Sequence, residues 1–235
     1  MAELVEAAHW LALFTTDGLG RALAKRVVRQ WCVEGGNSLA SLHALSDAEL
    51  GTLDLSEAQM GQLRNAQRGV NSWRSRLEEL ARRGISVLTR ADVAYPDALV
   101  ERLPAKWQPY YMLYAGGLAN LTESATAVIG ASRPSSEARA VAEDLARGLV
   151  ADGHVLIGGY AEGADRMALE AALAGGGQAI IVLPLGIARF PARNTLSPHV
   201  KEGRLLLLSP YAPDPPLGEP LAKARDVLVA AMADA

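Results

Sequence analysis

The stretch His154-Val155-Leu156-Ile157-Gly158-Gly159-Tyr160-Ala161-Glu162-Gly163-Ala164-Asp165 reads as a short β run, a glycine-rich turn and the first residues of a helix. The same grammar stands 28 residues earlier, in Thr126-Ala127-Val128-Ile129-Gly130-Ala131-Ser132-Arg133. Glycine lets the backbone approach an anion closely, and the amides of a helix N-terminus face it with a favourable dipole. The pair points to a phosphate-binding site at strand ends in an α/β fold. Its candidate contacts are Gly130, Ala131, Ser132, Arg133, Gly158, Gly159, Gly163, Ala164 and Asp165. Glu162 places a negative charge inside the second turn, where an anion would sit.

Outward from these turns, short apolar runs alternate with alanine-rich helical stretches. The expected strands are Ile85-Ser86-Val87-Leu88, Tyr111-Met112-Leu113-Tyr114, Ala127-Val128-Ile129, Val155-Leu156-Ile157, Ala179-Ile180-Ile181-Val182-Leu183 and Leu205-Leu206-Leu207-Leu208. Helices are expected over 136–152, 164–174 and 221–232. Near-continuous apolar strands separated by helices imply a parallel sheet covered on both faces. Such a sheet binds ligands beyond the carboxyl ends of its strands, which is where both glycine turns fall. The proline-rich segment 210–220 reads as a surface loop. In an alternating fold a further strand is expected after the helix that ends near Met232.

Residues 2–83 have a different texture, helical with few β-branched residues and breaks at Asp17-Gly18-Leu19-Gly20, Glu34-Gly35-Gly36-Asn37 and Gly51. Leu23, Val27 and Trp31 recur every four residues on one helix face. Ser46-Asp47-Ala48-Glu49 has the form of a capping box. The expected organisation is a small domain of four or five helices over 1–83, followed by an α/β domain over 84–235. Within the first, Gly18-Leu19-Gly20 precedes a helix bearing Arg21, Lys25 and Arg29, with Arg26 beside them. A helix-hairpin-helix element uses such a turn to hold a DNA backbone without reading sequence, which makes Gly18, Gly20, Arg21 and Lys25 secondary DNA-contact candidates. A solvated basic face accounts for the same pattern.

Half of the 235 residues are hydrophobic, enough for a core without covalent staples. The single cysteine, Cys32, excludes an intrachain disulfide and fits a reducing compartment. No apolar run approaches the roughly 20 residues of a membrane-spanning helix, and the N-terminus opens acidic rather than basic. A cytoplasmic protein without membrane contact is expected. The net charge of −3 comes from residues 91–235, because residues 1–90 are close to neutral. Nucleic-acid binding must therefore rest on local patches rather than on the bulk field. His9, His43, His154 and His199 are scattered without metal-ligand spacing, so neither metal nor cofactor is expected.

The turns are not the dinucleotide G-x-G-x-x-G, and no Walker lysine follows either. Pro134 breaks the hydrolase G-x-S-x-G pattern. A third segment, Gly186-Ile187-Ala188-Arg189-Phe190-Pro191-Ala192-Arg193-Asn194, follows an apolar strand and sets two arginines beside an aromatic. Arginine suits phosphate and an aromatic ring suits base stacking. Gly186, Arg189, Arg193 and Asn194 join the candidates, and Phe190 or Tyr160 could stack a base.

Together these segments resemble the DNA-processing protein A (DprA, Smf) family. Asp92-Val93-Ala94-Tyr95-Pro96-Asp97-Ala98-Leu99 is similar to its D-x-x-Y-P-x-x-L segment, and Gly130-Ala131-Ser132-Arg133 to its G-S-R turn. The run from Gly158 to Asp165 resembles S-G-x-A-R-G-I-D, Phe190-Pro191 with Asn194 resembles Y-P-x-x-N, and Arg225-Asp226 falls where the family carries R-N-R. The resemblance implies an extended Rossmann-like parallel-sheet domain behind a small all-helical domain. It implies a non-enzymatic protein that binds incoming single-stranded DNA, loads a RecA-type recombinase during natural transformation and forms a homodimer. Arg225 joins the phosphate contacts on this ground. Three departures are directional: the signature arginine is Glu162, an arginine after the Leu113-Tyr114 strand is Ala115, and R-N-R is Arg225-Asp226-Val227. They predict weakened phosphate affinity. A small-nucleotide binder, with Glu162 and Asp165 accepting ribose hydroxyls, is the alternative. A nucleotide N-glycosidase using Glu162 is a third, but its P-G-G-x-G-T-x-x-E pattern is not reproduced.

Overall fold

The computed structural model describes residues 2–121, 123–190 and 195–234. They divide into two compact units, Met1–Tyr95 and Pro96–Ala235.

In the first unit, α1 (Ala2–Thr15) packs along α5 (Glu57–Arg82). Between them lie α2 (Arg21–Val27), which continues as a π-helical stretch over Val28–Glu34, then α3 (Leu39–Ala44) and α4 (Asp47–Leu50). Five α-helices thus fill the expected helical region, and β1 (Ser86–Thr89) follows. Serines start α3, α4 and α5: Ser38 caps α3, and Ser46 with Glu49 and Ser56 with Gln59 form reciprocal capping boxes on α4 and α5. Trp10, Leu11, Leu13, Leu39, Leu42, Leu63 and Leu80 are fully enclosed in the core.

The second unit contains α6 (Asp97–Glu101), β2 (Tyr111–Gly116), β3 (Ala125–Ala127), α7 (Ser136–Ala151), β4 (Val155–Gly158) and α8 (Ala164–Ala174). It continues with β5 (Ala179–Val182), α9 (Ser197–Lys201), β6 (Leu205–Ser209) and α10 (Glu219–Met232). The strands run in the order β2-β6-β5-β4-β3. β3, β4, β5 and β6 are mutually parallel, with Thr126 beside Leu156 and Ile180 beside Leu206. Every residue of β4, β5 and β6 is buried, which explains their uninterrupted apolar sequence.

Two expectations are corrected. The sheet is mixed, not wholly parallel, because β2 pairs antiparallel with β6. Apolar periodicity carries no strand direction, and here the backbone approach at the strand end decides the fit. Gly116 has φ 109°, and a Cβ there or on Gly117 would collide with the Leu205 or Gly203 carbonyl. The strand expected over 127–129 is instead Ala125–Ala127, in register with Val155–Ile157, and Ile129 lies beyond it with 83% of its surface exposed.

After α10 the chain returns to the outer strand. The Asp234 amide donates to the Ala125 carbonyl at 2.7 Å, and its carboxylate accepts from the Ala125 amide at 3.2 Å. Arg102 holds this carboxylate at 2.9 Å, and that hydrogen bond is the main reason its proton affinity lies below the ordinary aspartate range.

Candidate nucleic-acid interface

Because β3 and β4 are parallel neighbours, both glycine turns emerge at the same end of the sheet, and they pack directly on each other. The Ala164 amide donates to the Ala131 carbonyl at 3.1 Å. Gly163 has φ 104°, and a Cβ there would strike the Ala131 carbonyl and Ser132 backbone. A Cβ on Gly130 would fall 2.7 Å from that of Ala164. These glycines therefore let one turn nest in the other.

The second turn spends its amides internally. Asp165 Oδ2 accepts from the Ala161 amide at 2.8 Å and the Gly159 amide at 3.2 Å, while Gly158 leaves the space the carboxylate occupies. Burial raises the Asp165 proton affinity, opposed by the Ala161 amide, the Arg225 charge and the Gly159 amide. With its carboxylate turned inward, Asp165 is committed to this loop, which removes one of the two acids available to a ribose.

Arg225 belongs to the same internal network. It is 6% exposed, its Nη1 donates to the Gly159 carbonyl, and its Nε donates to Asp226 at 2.6 Å. Gly159 is required here because a Cβ would occupy the guanidinium's place.

The first turn faces solvent. Ser132 and Arg133 are exposed, and Arg133 makes no hydrogen bond or ion pair among the described residues. Ser135 caps α7 by accepting from the Ala138 amide at 3.3 Å, and Arg139 Nε donates to the Pro134 carbonyl at 3.3 Å. Glu162 is exposed on the turn that nests against Ala131 and Ser132. The geometry therefore sets one open cation and one open acid on neighbouring turns at the N-termini of α7 and α8.

Tyr160 sits at φ 55° with its ring buried. Arg166 lies over the ring at 4.8 Å, Phe190 meets it edge-on at 6.2 Å, and its hydroxyl donates to Glu170 at 2.5 Å. Its faces are taken by the protein, so of the two aromatics Phe190, which is half-buried, keeps more open surface. Arg166 escaped the sequence reading, although its spacing of four from Glu170 on α8 marks a pair aimed at one neighbour. Its Nε is buried without a hydrogen-bond partner among the described residues.

At the third segment, the Gly186 amide donates to the Pro215 carbonyl at 2.9 Å, and a Cβ on Gly186 would meet the Pro213 backbone. Arg189 is exposed, with Nε donating to the Asp214 carbonyl. Arg193 and Asn194 lie outside the described residues.

In the first unit, Gly18 and Gly20 have φ 80° and 70°, and the helix after them has no side-chain cap at Gly20. Arg21 is exposed, and Lys25 is half-buried, with burial and the Arg21 charge lowering its proton affinity. No helix among the described residues is long and apolar enough to cross a membrane.

Residues 86–235 match the family model of DNA recombination-mediator protein A. The chain is also similar to the solved structure of DNA processing protein A from Helicobacter pylori, a study of that protein's single-stranded DNA binding mode. The match has 27% identity and a TM-score of 0.51, covering 64% of this chain and 66% of that one. The structure of DNA processing protein A from Streptococcus pneumoniae matches in fold with 24% identity and a TM-score of 0.58, covering 82% of this chain and 69% of that one. No curated protein sequence matches.

Proposed function

The chain belongs to the DNA recombination-mediator protein A family, and from that premise we propose that it binds single-stranded DNA at the Gly130–Arg133 turn, without catalysing a reaction. The observation that carries this reading is Arg133. It is an exposed guanidinium with no partner among the described residues, on a glycine turn that opens the 16-residue α7. A phosphate placed there meets a delocalised cation and the positive end of a helix together. Ser132 and Arg189 complete the proposed contact set, and Arg225 supports it from beneath by holding Gly159.

The biological setting we propose is the cytoplasm. There the protein would receive incoming single strands in natural transformation, pass them to a RecA-type recombinase and act as a homodimer. Gly18, Gly20, Arg21 and Lys25 would add a second, sequence-independent contact to the DNA backbone.

Fluorescence anisotropy of a labelled oligonucleotide, titrated with salt, tests the site. Wild type should bind at low salt, and Arg133→Ala should weaken binding and flatten the dependence of log K on log salt by about 0.7. Absence of binding by wild type at low salt would sink the proposal. An Arg133→Ala protein with unchanged slope would move the contact elsewhere.

A further inference from the structure

Two histidines join α1 and α3 in the first unit. His9 Nδ1 and His43 Nδ1 are 2.6 Å apart, with ring centroids separated by 4.9 Å. Two N–H groups, or two bare lone pairs, would repel at that distance, so one proton sits between the nitrogens. The far side of His43 decides which ring owns it. His43 is 3% exposed, and its Nε2 is buried without a hydrogen-bond partner among the described residues. Were His43 the acceptor at Nδ1, its neutral ring would carry an N–H at that Nε2, and buried donors without acceptors are rarer than unsatisfied acceptors. His43 therefore donates from Nδ1, and half-buried His9 accepts while carrying its own proton at Nε2.

The groups around the pair set its response to acid. On α1, Glu6 accepts from the Leu39 amide at 2.6 Å, the Ala40 amide at 3.1 Å and Trp10 Nε1 at 3.0 Å, which ties the start of α3 to α1. From α5, Arg64 donates to the His43 carbonyl at 3.3 Å and pairs with Asp47 of α4 at 2.8 Å. Cys32, from the π-helical stretch, has its thiol pushed up to about 12 by burial and the Glu6 charge, so it stays neutral.

We propose that the His9–His43 pair is an acid-sensitive latch in the helical unit. A further proton either lands on His9 Nδ1 and sets two N–H groups against each other, or lands on His43 Nε2, where no acceptor waits. Each event loosens α3 from α1. Burial holds both rings below the ordinary histidine range: His43 stands at about 4, with His9 and Arg64 adding repulsion, while Glu6 pulls His9 back upward. Because the folded rings titrate below the unfolded value, the unfolded unit binds more protons. The stabilisation is complete above about pH 6.5 and is lost as pH falls toward the folded value.

Nitrogen NMR of the histidine rings in the full-length chain tests the latch directly and does not involve nucleic acid. The expected result is an Nδ1–H tautomer for His43 at neutral pH, with His43 still a neutral ring at about pH 6 and His9 protonating below the ordinary histidine range. Amide exchange in α1 and α3, corrected for its intrinsic rate, should then rise by about tenfold per pH unit as one linked proton is taken up. His43→Gln keeps a side-chain donor toward His9 and removes the buried titrating ring, so its exchange should lose most of that pH dependence. Two Nε2–H rings that each protonate near about pH 6.5, or a His43→Gln protein with the full wild-type pH dependence, would overturn the proposal.

Discussion

Arg133 and Arg225 carry the same charge and stand in opposite roles. Arg225 is enclosed, donating to the Gly159 carbonyl and to Asp226, whereas Arg133 faces solvent. Arg225→Met should therefore lower stability by roughly 2–3 kcal/mol, the scale of hydrogen bonds made by a charged donor. Urea unfolding measures it, and a change below about 0.5 kcal/mol, the usual limit for surface substitutions, would contradict the buried network. Glu162 is the open acid beside the proposed phosphate contact. Glu162→Gln should tighten single-stranded DNA binding about two- to fivefold at low salt, a gain that fades as salt screens the charge. Anisotropy with matched oligonucleotides checks this, and unchanged affinity would place Glu162 outside the DNA path. At this scale the sequence located the loop but not the direction of its side chains. Asp165 and Arg225 turn inward because Gly158 and Gly159 leave room for a carboxylate and a guanidinium, and that room exists only once α8 and α10 have packed.

At the scale of elements, local chemistry was readable where it is short-ranged. The capping box at Ser46, the helix start at Ala164 and the apolar strands β4, β5 and β6 follow from neighbours in sequence. Ser135→Ala should cost about 1 kcal/mol, because α7 loses the side-chain cap at the Ala138 amide. Thermal unfolding reads this, and an unchanged midpoint would mean that another group satisfies the amide. Strand direction was not readable, since β2 has the same apolar texture as its parallel neighbours. Its antiparallel seat depends on Gly116, whose positive φ and closeness to the Leu205 carbonyl both exclude a side chain. Gly116→Ala should destabilise the second unit by about 2 kcal/mol or more, with the loss seen first as faster amide exchange in β2 and β6.

For the whole molecule, charge limits what the site can do. A chain of net charge −3 gives a single strand no attractive bulk field, so affinity must come from a few local cations. If Arg133 and Arg189 supply the phosphate contacts, the salt slope should be shallow, about −1.4, and anisotropy across salt measures it directly. A slope near −4 would require the Gly18–Lys25 hairpin and further cations to share the load. The sequence by itself determined the family resemblance, the helical first region, the apolar strands and the two glycine turns, because each is written in residues close along the chain. Only the tertiary structure decided that the turns nest in each other, that Asp165 and Arg225 are consumed within them, and that Arg133 is left open. Those outcomes depend on which side chain fills the space beside each glycine, and the residues that fill it come from up to 66 positions away, as Arg225 does at Gly159.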